Sequence, residues 1–167
     1  MLHHVSVGVA DVERADKFYD AALRALGYKR IMEFLPYAIG YGETGPEFWV
    51  QLPHNQQPAN AGNGYHVGFA AGSKKAVQKF HATALAQGGT DDGAPGPRPD
   101  YGPEYYGAFV IDLDGNKLEA TYWAEAKPAK AKTAAKSKKK AKAAKKPAKK
   151  AAKKAAKKKT KRKAKRK

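Results

Sequence analysis

The sequence predicts an α+β domain built from two copies of one strand–helix–three-strand unit, followed by a basic tail. Three observations carry that expectation. The chain repeats itself at a constant offset of 62: His4-Val5-Ser6-Val7 returns as His66-Val67-Gly68-Phe69, Lys17-Phe18 as Lys79-Phe80, Ala22-Leu23 as Ala84-Leu85, and Gly27 as Gly89. Similarity at a fixed period marks a structural unit used more than once. Within each copy the apolar pattern passes from alternation to helical spacing and back to alternation. The composition also breaks after Ala126. Up to that residue there are 10 Lys+Arg against 15 Asp+Glu; beyond it there are 23 Lys+Arg and no acid. The net charge of +18 therefore describes neither part, and such an asymmetry reads as a basic tail on an ordinary domain.

Leu2 to Val9 alternates, with Val5, Val7 and Val9 on one face and His4, Ser6 and Gly8 on the other. Asp11 is placed to cap the helix that follows. The apolar positions Ala15, Phe18, Tyr19, Ala22, Leu23 and Leu26 hold helical spacing, and Gly27 stops it. Strands are expected at Lys29 to Phe34, Tyr37 to Tyr41 and Glu47 to Leu52. Pro53 to Gly64, rich in Pro, Asn, Gln and Gly, reads as a linker. The second unit begins with Tyr65 to Ala71, where Val67 and Phe69 oppose His66, Gly68 and Ala70. Ser73 takes the capping place of Asp11, and a helix runs to about Ala86 before Gly88-Gly89. Asp91 to Gly102, rich in Gly and Pro, reads as a long loop, so the second strand of this unit is poorly marked. Tyr105 to Asp112 and Lys117 to Trp123 read as a hairpin across Asp114-Gly115-Asn116, a turn sequence. The domain is thus expected over 1–123, with modules of about 1–53 and 64–123, and the tail over 124–167.

The tail lacks large apolar residues and cannot offset its ordering entropy by burial, so disorder is expected there. Its cations, among them Lys138, Lys139, Lys140, Lys145, Lys146, Lys149, Lys150, Lys157, Lys158, Lys159, Arg162 and Arg166, suit the release of counterions from nucleic-acid phosphates, a mode without sequence preference. The tail has no aromatic residue to stack on bases. Its Lys/Ala/Pro composition looks like the tails of linker histones and bacterial histone-like proteins. An anionic surface such as lipid headgroups is the alternative partner.

The chain has no cysteine, which excludes disulfides, thiolate metal sites and thiol nucleophiles. No apolar run approaches the roughly 18 residues of a membrane span. The N-terminus opens directly in a strand pattern without a secretory signal. A cytoplasmic protein, with nucleoid association through the tail, is the expectation.

Small residues beside His4 and His66 leave room on two strand faces that would ordinarily carry Val, Ile or Leu, as a ligand site requires. Glu119 stands in the middle of an otherwise apolar strand, where a carboxylate buried alone costs several kcal/mol. Two imidazoles and one carboxylate around a divalent ion would resolve that cost, and they match a ligand set that leaves positions open for substrate. The other reading is of two hydrogen-bonded core histidines. The metal reading requires the tips of His4, His66 and Glu119 to reach a single ion. His3 faces the other way. His54 and His81 read as structural or solvated.

His4-Val-Ser-Val-Gly-Val-Ala-Asp11, Lys17-Phe18-Tyr19, Gly64-Tyr65-His66-Val67 and Asp112-Leu-Asp-Gly-Asn-Lys-Leu-Glu119 together resemble the vicinal-oxygen-chelate superfamily. It includes glyoxalase I, fosfomycin-resistance thiol transferases, extradiol dioxygenases and bleomycin-resistance proteins. The resemblance covers roughly residues 1–123 and is nearest to small glyoxalase-like bacterial proteins, which share the stretch Arg98-Pro-Asp-Tyr-Gly-Pro-Glu-Tyr-Tyr106. It implies paired βαβββ modules in a half-open, barrel-like sheet around a divalent ion (Zn, Ni, Mn or Fe), with ligand positions on His4, His66 and Glu119. Glyoxalase I also uses a carboxylate on the fourth strand, and here Trp49 falls near that position. Gln51 can ligate but not act as a base; Glu47 can do both if the strand slides by one side-chain pair. Glu119 and Glu47 are thus the catalytic candidates. Trp49, Gln51, Arg98, Tyr101 and Tyr106 are the candidates for substrate binding, Arg98 through an anionic group.

The function expected is that of a glyoxalase-like metalloprotein, a lyase, isomerase or thiol transferase, with a small-molecule substrate and a nucleic-acid-binding tail. The alternatives are a metal-free small-molecule binder of the bleomycin-resistance kind and a DNA-associated architectural protein with a vestigial domain. The pocket is expected either within one chain or across a homodimer.

Overall fold

The computed structural model of the chain describes residues 2–123; the expectations for the tail fall outside these residues. The class is α+β, and two βαβββ modules follow one another. The first holds β1 (Val5–Gly8), α1 (Val12–Arg24), β2 (Lys29–Phe34), β3 (Ala38–Gly42) and β4 (Phe48–Gln51). The second holds β5 (Val67–Ala70), α2 (Lys74–Ala86), β6 (Thr90–Pro97), β7 (Tyr105–Ile111) and β8 (Lys117–Trp123). Each module forms its own four-stranded sheet, β1-β4-β3-β2 and β5-β8-β7-β6. In both, the first strand pairs parallel with the last, and the remaining neighbours are antiparallel. Among the described residues no helix is long and apolar enough to cross a membrane.

Both helices start where the sequence places them. The Asp11 side chain accepts from the Arg14 N–H at 3.0 Å, and Ser73 accepts from the Ala76 N–H at 3.1 Å; a cap of this kind contributes about 1 kcal/mol. Gly27 and Gly88 follow the helices at φ 99° and 92°, a region where side chains are strained.

One element departs from expectation. Residues Thr90–Pro97 form a strand, not the first part of a loop. β6 is an edge strand whose register with β7 shifts between Asp91 and Gly93 and again between Gly93 and Gly96. Edges and bulges tolerate the Gly and Pro that hide such a strand from a periodicity search.

A single core joins the modules. Val7, Ile39, Tyr41, Phe48 and Val50 from one sheet meet Val67, Phe69, Val110 and Leu118 from the other, with Phe18, Tyr19, Leu23, Val77 and Phe80 from the helices. Phe48 and Phe69 cross edge to face at 5.0 Å between ring centroids. Burying each such side chain contributes roughly 1.5–3 kcal/mol. Because the valine faces of β1 and β5 are spent on this core, the opposite faces turn away from it. His4, Ser6, His66, Gly68 and Ala70 are all exposed.

The turn after β7 also ties the modules together. Asp112 Oδ2 accepts from the Tyr19 hydroxyl at 2.5 Å and from Asn116 Nδ2 at 2.9 Å, while Oδ1 accepts the N–H groups of Asp114 and Asn116. Asn116 Nδ2 also donates to the Gly8 carbonyl at 3.1 Å. Asp114 Oδ1 accepts from the Ala10 N–H at 3.0 Å and from Arg14 at 2.6 Å. The motif expected to serve as a turn alone is therefore also a clamp on β1 and α1.

Candidate functional site

The β8 strand carries Glu119 opposite Gly68 of β5 and Phe109 of β7, on the face turned away from the core. Glu119 is only 4% exposed. Its Oε1 accepts from the Tyr105 hydroxyl at 2.6 Å, and its Oε2 lies 3.2 Å from His66 Nε2. These partners offset the desolvation of the carboxylate. Glycines provide the space: a Cβ on Gly107 would stand 2.9 Å from Oε1, and one on Gly68 3.7 Å from Oε2. The Tyr105 hydroxyl also lies 3.0 Å from Thr121 Oγ1. Burial, and then its bond to Glu119, raise the Tyr105 pKa above the usual phenol value, so the phenol stays a donor at neutral pH.

Around this pair opens a cavity of about 400 Å³ whose lining includes His66, Arg98, Tyr101, Tyr105, Phe109 and Lys117. Arg98 stands with its guanidinium carbon 5.7 Å from the Phe109 ring centroid, and Lys117 Nζ is 4.9 Å from the same centroid. Lys117 pairs with Asp92 at 2.8 Å. Tyr101 meets the Tyr105 ring edge to face at 5.2 Å.

Of the residues singled out from sequence, His66, Glu119, Arg98 and Tyr101 come together here. The others do not. His4 immediately precedes β1 of the other sheet, with its Nδ1 2.9 Å from His3 Nδ1. Trp49 and Gln51 pair with Ser6 and Gly8 and so share the face of His4. Trp49 stacks on Phe34 at 6.0 Å. Glu47 accepts from the Glu43 N–H at 3.2 Å and lines a separate cavity of about 400 Å³ with Tyr28, Phe48 and Phe69. The slide that would bring Glu47 to the position of Trp49 does not occur. Tyr106 points toward α2: its hydroxyl accepts from Gln78 Nε2 at 3.1 Å, and its ring lies 5.4 Å from Lys74 Nζ.

Tyr105, Phe109 and Lys117 complete the cup, and a signal for them exists in the sequence. Once the hairpin pairs Ile111 with Lys117, Glu119 must face Phe109, and Trp123 must face Tyr105. The odd-numbered residues then share the face of Glu119, and Tyr106 falls on the other.

His66 and Glu119 are donors of the right kind for a divalent ion, an imidazole nitrogen and a carboxylate in a space left open by glycines. Among the described residues, however, no three His, Asp or Glu side chains gather for a metal. One chain thus offers two of the three expected ligands on one face and the third on another.

Residues 1–120 match the family model described as Glyoxalase/Bleomycin resistance protein/Dioxygenase superfamily. No curated protein matches the chain. A crystal structure of a glyoxalase/bleomycin resistance protein from Albidiferax ferrireducens T118 is 40% identical, covers 73% of this chain and 98% of its own, and superposes with a TM-score of 0.64. A glyoxalase-related enzyme from Fulvimarina pelagi (20% identical, 73% and 87% covered, TM-score 0.58) and a lactoylglutathione lyase from Agrobacterium tumefaciens (16%, 73% and 92%, 0.52) share the fold.

Proposed function

We propose a function from the premise that this chain belongs to the Glyoxalase/Bleomycin resistance protein/Dioxygenase superfamily. It is a glyoxalase-like divalent-metal protein, a lyase, isomerase or thiol transferase acting on a small oxygen-bearing substrate, with a tail that binds nucleic acid without sequence preference. The observation that carries the reading is the buried Glu119 carboxylate 3.2 Å from His66 in a cup that opens to solvent.

In this reading His66 and Glu119 of one chain and His4 of the partner subunit would hold the ion. Two features support completion by a second copy. His4 stands on a face that its own chain leaves open. Large apolar side chains are also exposed on both modules, Phe34 (57%) and Tyr37 on the β2–β3 hairpin and Tyr101 and Trp123 (58%) beside the cup, and association covers surfaces of this kind. A divalent ion bound there supplies Lewis acidity toward a substrate oxygen. The chain's own residues do the rest. Tyr105 orients Glu119 by donating to it, Glu119 can take up a proton from a bound substrate, and the aromatic wall excludes water. Trp49 shares the face of His4 and cannot supply the second carboxylate that a proton transfer of the glyoxalase I kind uses.

Metal analysis of the purified protein tests the ligand set. Glu119→Gln lowers bound metal, and unchanged stoichiometry defeats the assignment. Co-expression of His4→Ala with Glu119→Gln tests completion across two chains. Mixed dimers then contain one intact site and regain metal that neither variant binds alone; no regain places the site within one chain. A metal-free small-molecule binder is the second reading, favoured because Tyr105 and His66 already satisfy Glu119. Absence of metal from the active protein selects it.

A further inference from the structure

We infer that the cup of the second module selects a small organic carboxylate, gripped by Arg98 beside the Phe109 ring. The inference names the substrate class of the site proposed above and rests on that reading only for its location.

Arg98 carries the argument. Its Nη2 donates to the Ala94 carbonyl at 2.9 Å, and its Nη1 to the Pro97 carbonyl at 3.3 Å. Among the described residues it pairs with no carboxylate. A guanidinium has five N–H donors in a planar fork, so three remain for a ligand, in the geometry that suits a carboxylate.

The strand is shaped around this group. A Cβ on Gly93 would lie 3.3 Å from Nη2, and one on Gly96 3.2 Å from Nη1. Gly93 stands at φ 155°, between the two register shifts of β6. A Cβ on Gly93 would also stand 3.0 Å from Phe109 Cδ2, so the glycines of this irregular stretch leave room for the Phe109 ring and the guanidinium together.

The formal charges of the cup balance, Arg98 and Lys117 against Asp92 and Glu119, so the preference for an anion is local to the guanidinium. Lys117 is paired with Asp92, and the Glu119 oxygens are taken by Tyr105 and His66, so the Arg98 guanidinium meets no carboxylate among the described residues and keeps donors for a ligand. Phe109, Tyr101 and Tyr105 supply aromatic surface for the body of the ligand. The volume of about 400 Å³ lies toward the small end of ligand pockets, which run from roughly 300 to 1,000 Å³.

Calorimetric titration of the full chain with benzoate, its neutral analogue benzamide and inorganic phosphate tests the inference. The tail is the same in parent and variants, so each ligand is scored by the part of its binding that Arg98→Gln removes. Benzoate binds saturably, while benzamide and phosphate bind at least about tenfold more weakly, as expected when a charge-assisted pair is lost or a tetrahedral anion meets a planar fork. Arg98→Gln weakens benzoate by roughly tenfold or more with an unchanged circular dichroism spectrum, and Arg98→Lys falls between the two. Absence of saturable benzoate binding, equal affinity for benzamide, or an Arg98→Gln variant that binds like the parent overturns the proposal. Phosphate binding as tight as benzoate overturns the choice of a carboxylate. The titrations are repeated after chelator treatment and accompanied by metal analysis. Benzoate binding that depends on Arg98 in a metal-free protein upholds this inference while the metal reading fails; loss of Arg98 dependence with normal metal content does the reverse.

Discussion

Glu119 is a buried carboxylate on the wall of a cavity, and its surroundings show how such a group is accommodated. Its burial is tolerated because Tyr105 and His66 each take one oxygen and because Gly107 leaves the space. Tyr105→Phe leaves Oε1 without its donor, and the domain loses roughly 1–3 kcal/mol in urea unfolding. Gly107→Ala places a Cβ 2.9 Å from that oxygen. The carboxylate must move, its bond to Tyr105 weakens, and the phenol titrates closer to its ordinary value in an ultraviolet pH titration. An unchanged Tyr105 titration would mean that the two groups are not coupled. At this scale the sequence told part of the story. Glu119 was legible because a carboxylate on an apolar strand demands an explanation. Tyr105 and Tyr106 were not distinguishable as neighbours, since adjacent strand residues point to opposite faces and only the hairpin register decides between them.

At the scale of elements, the inter-module clamp is the clearest case of a motif doing more than its local pattern shows. Asp112 accepts from Tyr19 across 93 positions of chain. Burial, and then Asp112, hold the Tyr19 phenol well above its usual pKa. A group whose folded pKa is raised binds its proton more tightly in the native state. Its contribution is therefore fully present below the unfolded value of about 10 and is lost as pH climbs above it. Tyr19→Phe costs about 1.5–3 kcal/mol at neutral pH through the lost bond to a charged acceptor. It also flattens the fall in urea midpoint above about pH 10; an undiminished alkaline fall would place the effect on other tyrosines. The caps Asp11 and Ser73 were readable because capping is local. β6 was not, because its glycines serve Arg98 and its edge position rather than the core.

For the whole molecule, the decisive fact is the division of charge between a domain rich in acids and a tail with none. A chain ending at Ala126 is expected to melt with the full protein and to lose retention on DNA, and the full chain's affinity is expected to fall steeply with added salt. If the shortened chain still holds DNA, the tail is not the binding element. The core is built from the described residues themselves: Phe48, Phe69, Tyr19 and Leu23 draw both sheets and both helices into one apolar cluster. The same packing directs the histidine faces outward.

The amino-acid sequence by itself determined the repeat, the two helices with their caps, seven of the eight strands and the family. These follow from periodicity and short-range chemistry. Tertiary structure alone decided which faces the core consumed, and hence that His4 stands apart from His66 and Glu119. It also decided that Tyr105 rather than Tyr106 enters the cup, and that Gly93 and Gly96 make way for Arg98. Alternation identifies two faces of a strand but does not say which one a neighbouring module will cover; that choice belongs to the packing of Phe48 against Phe69 and of the helices between the sheets.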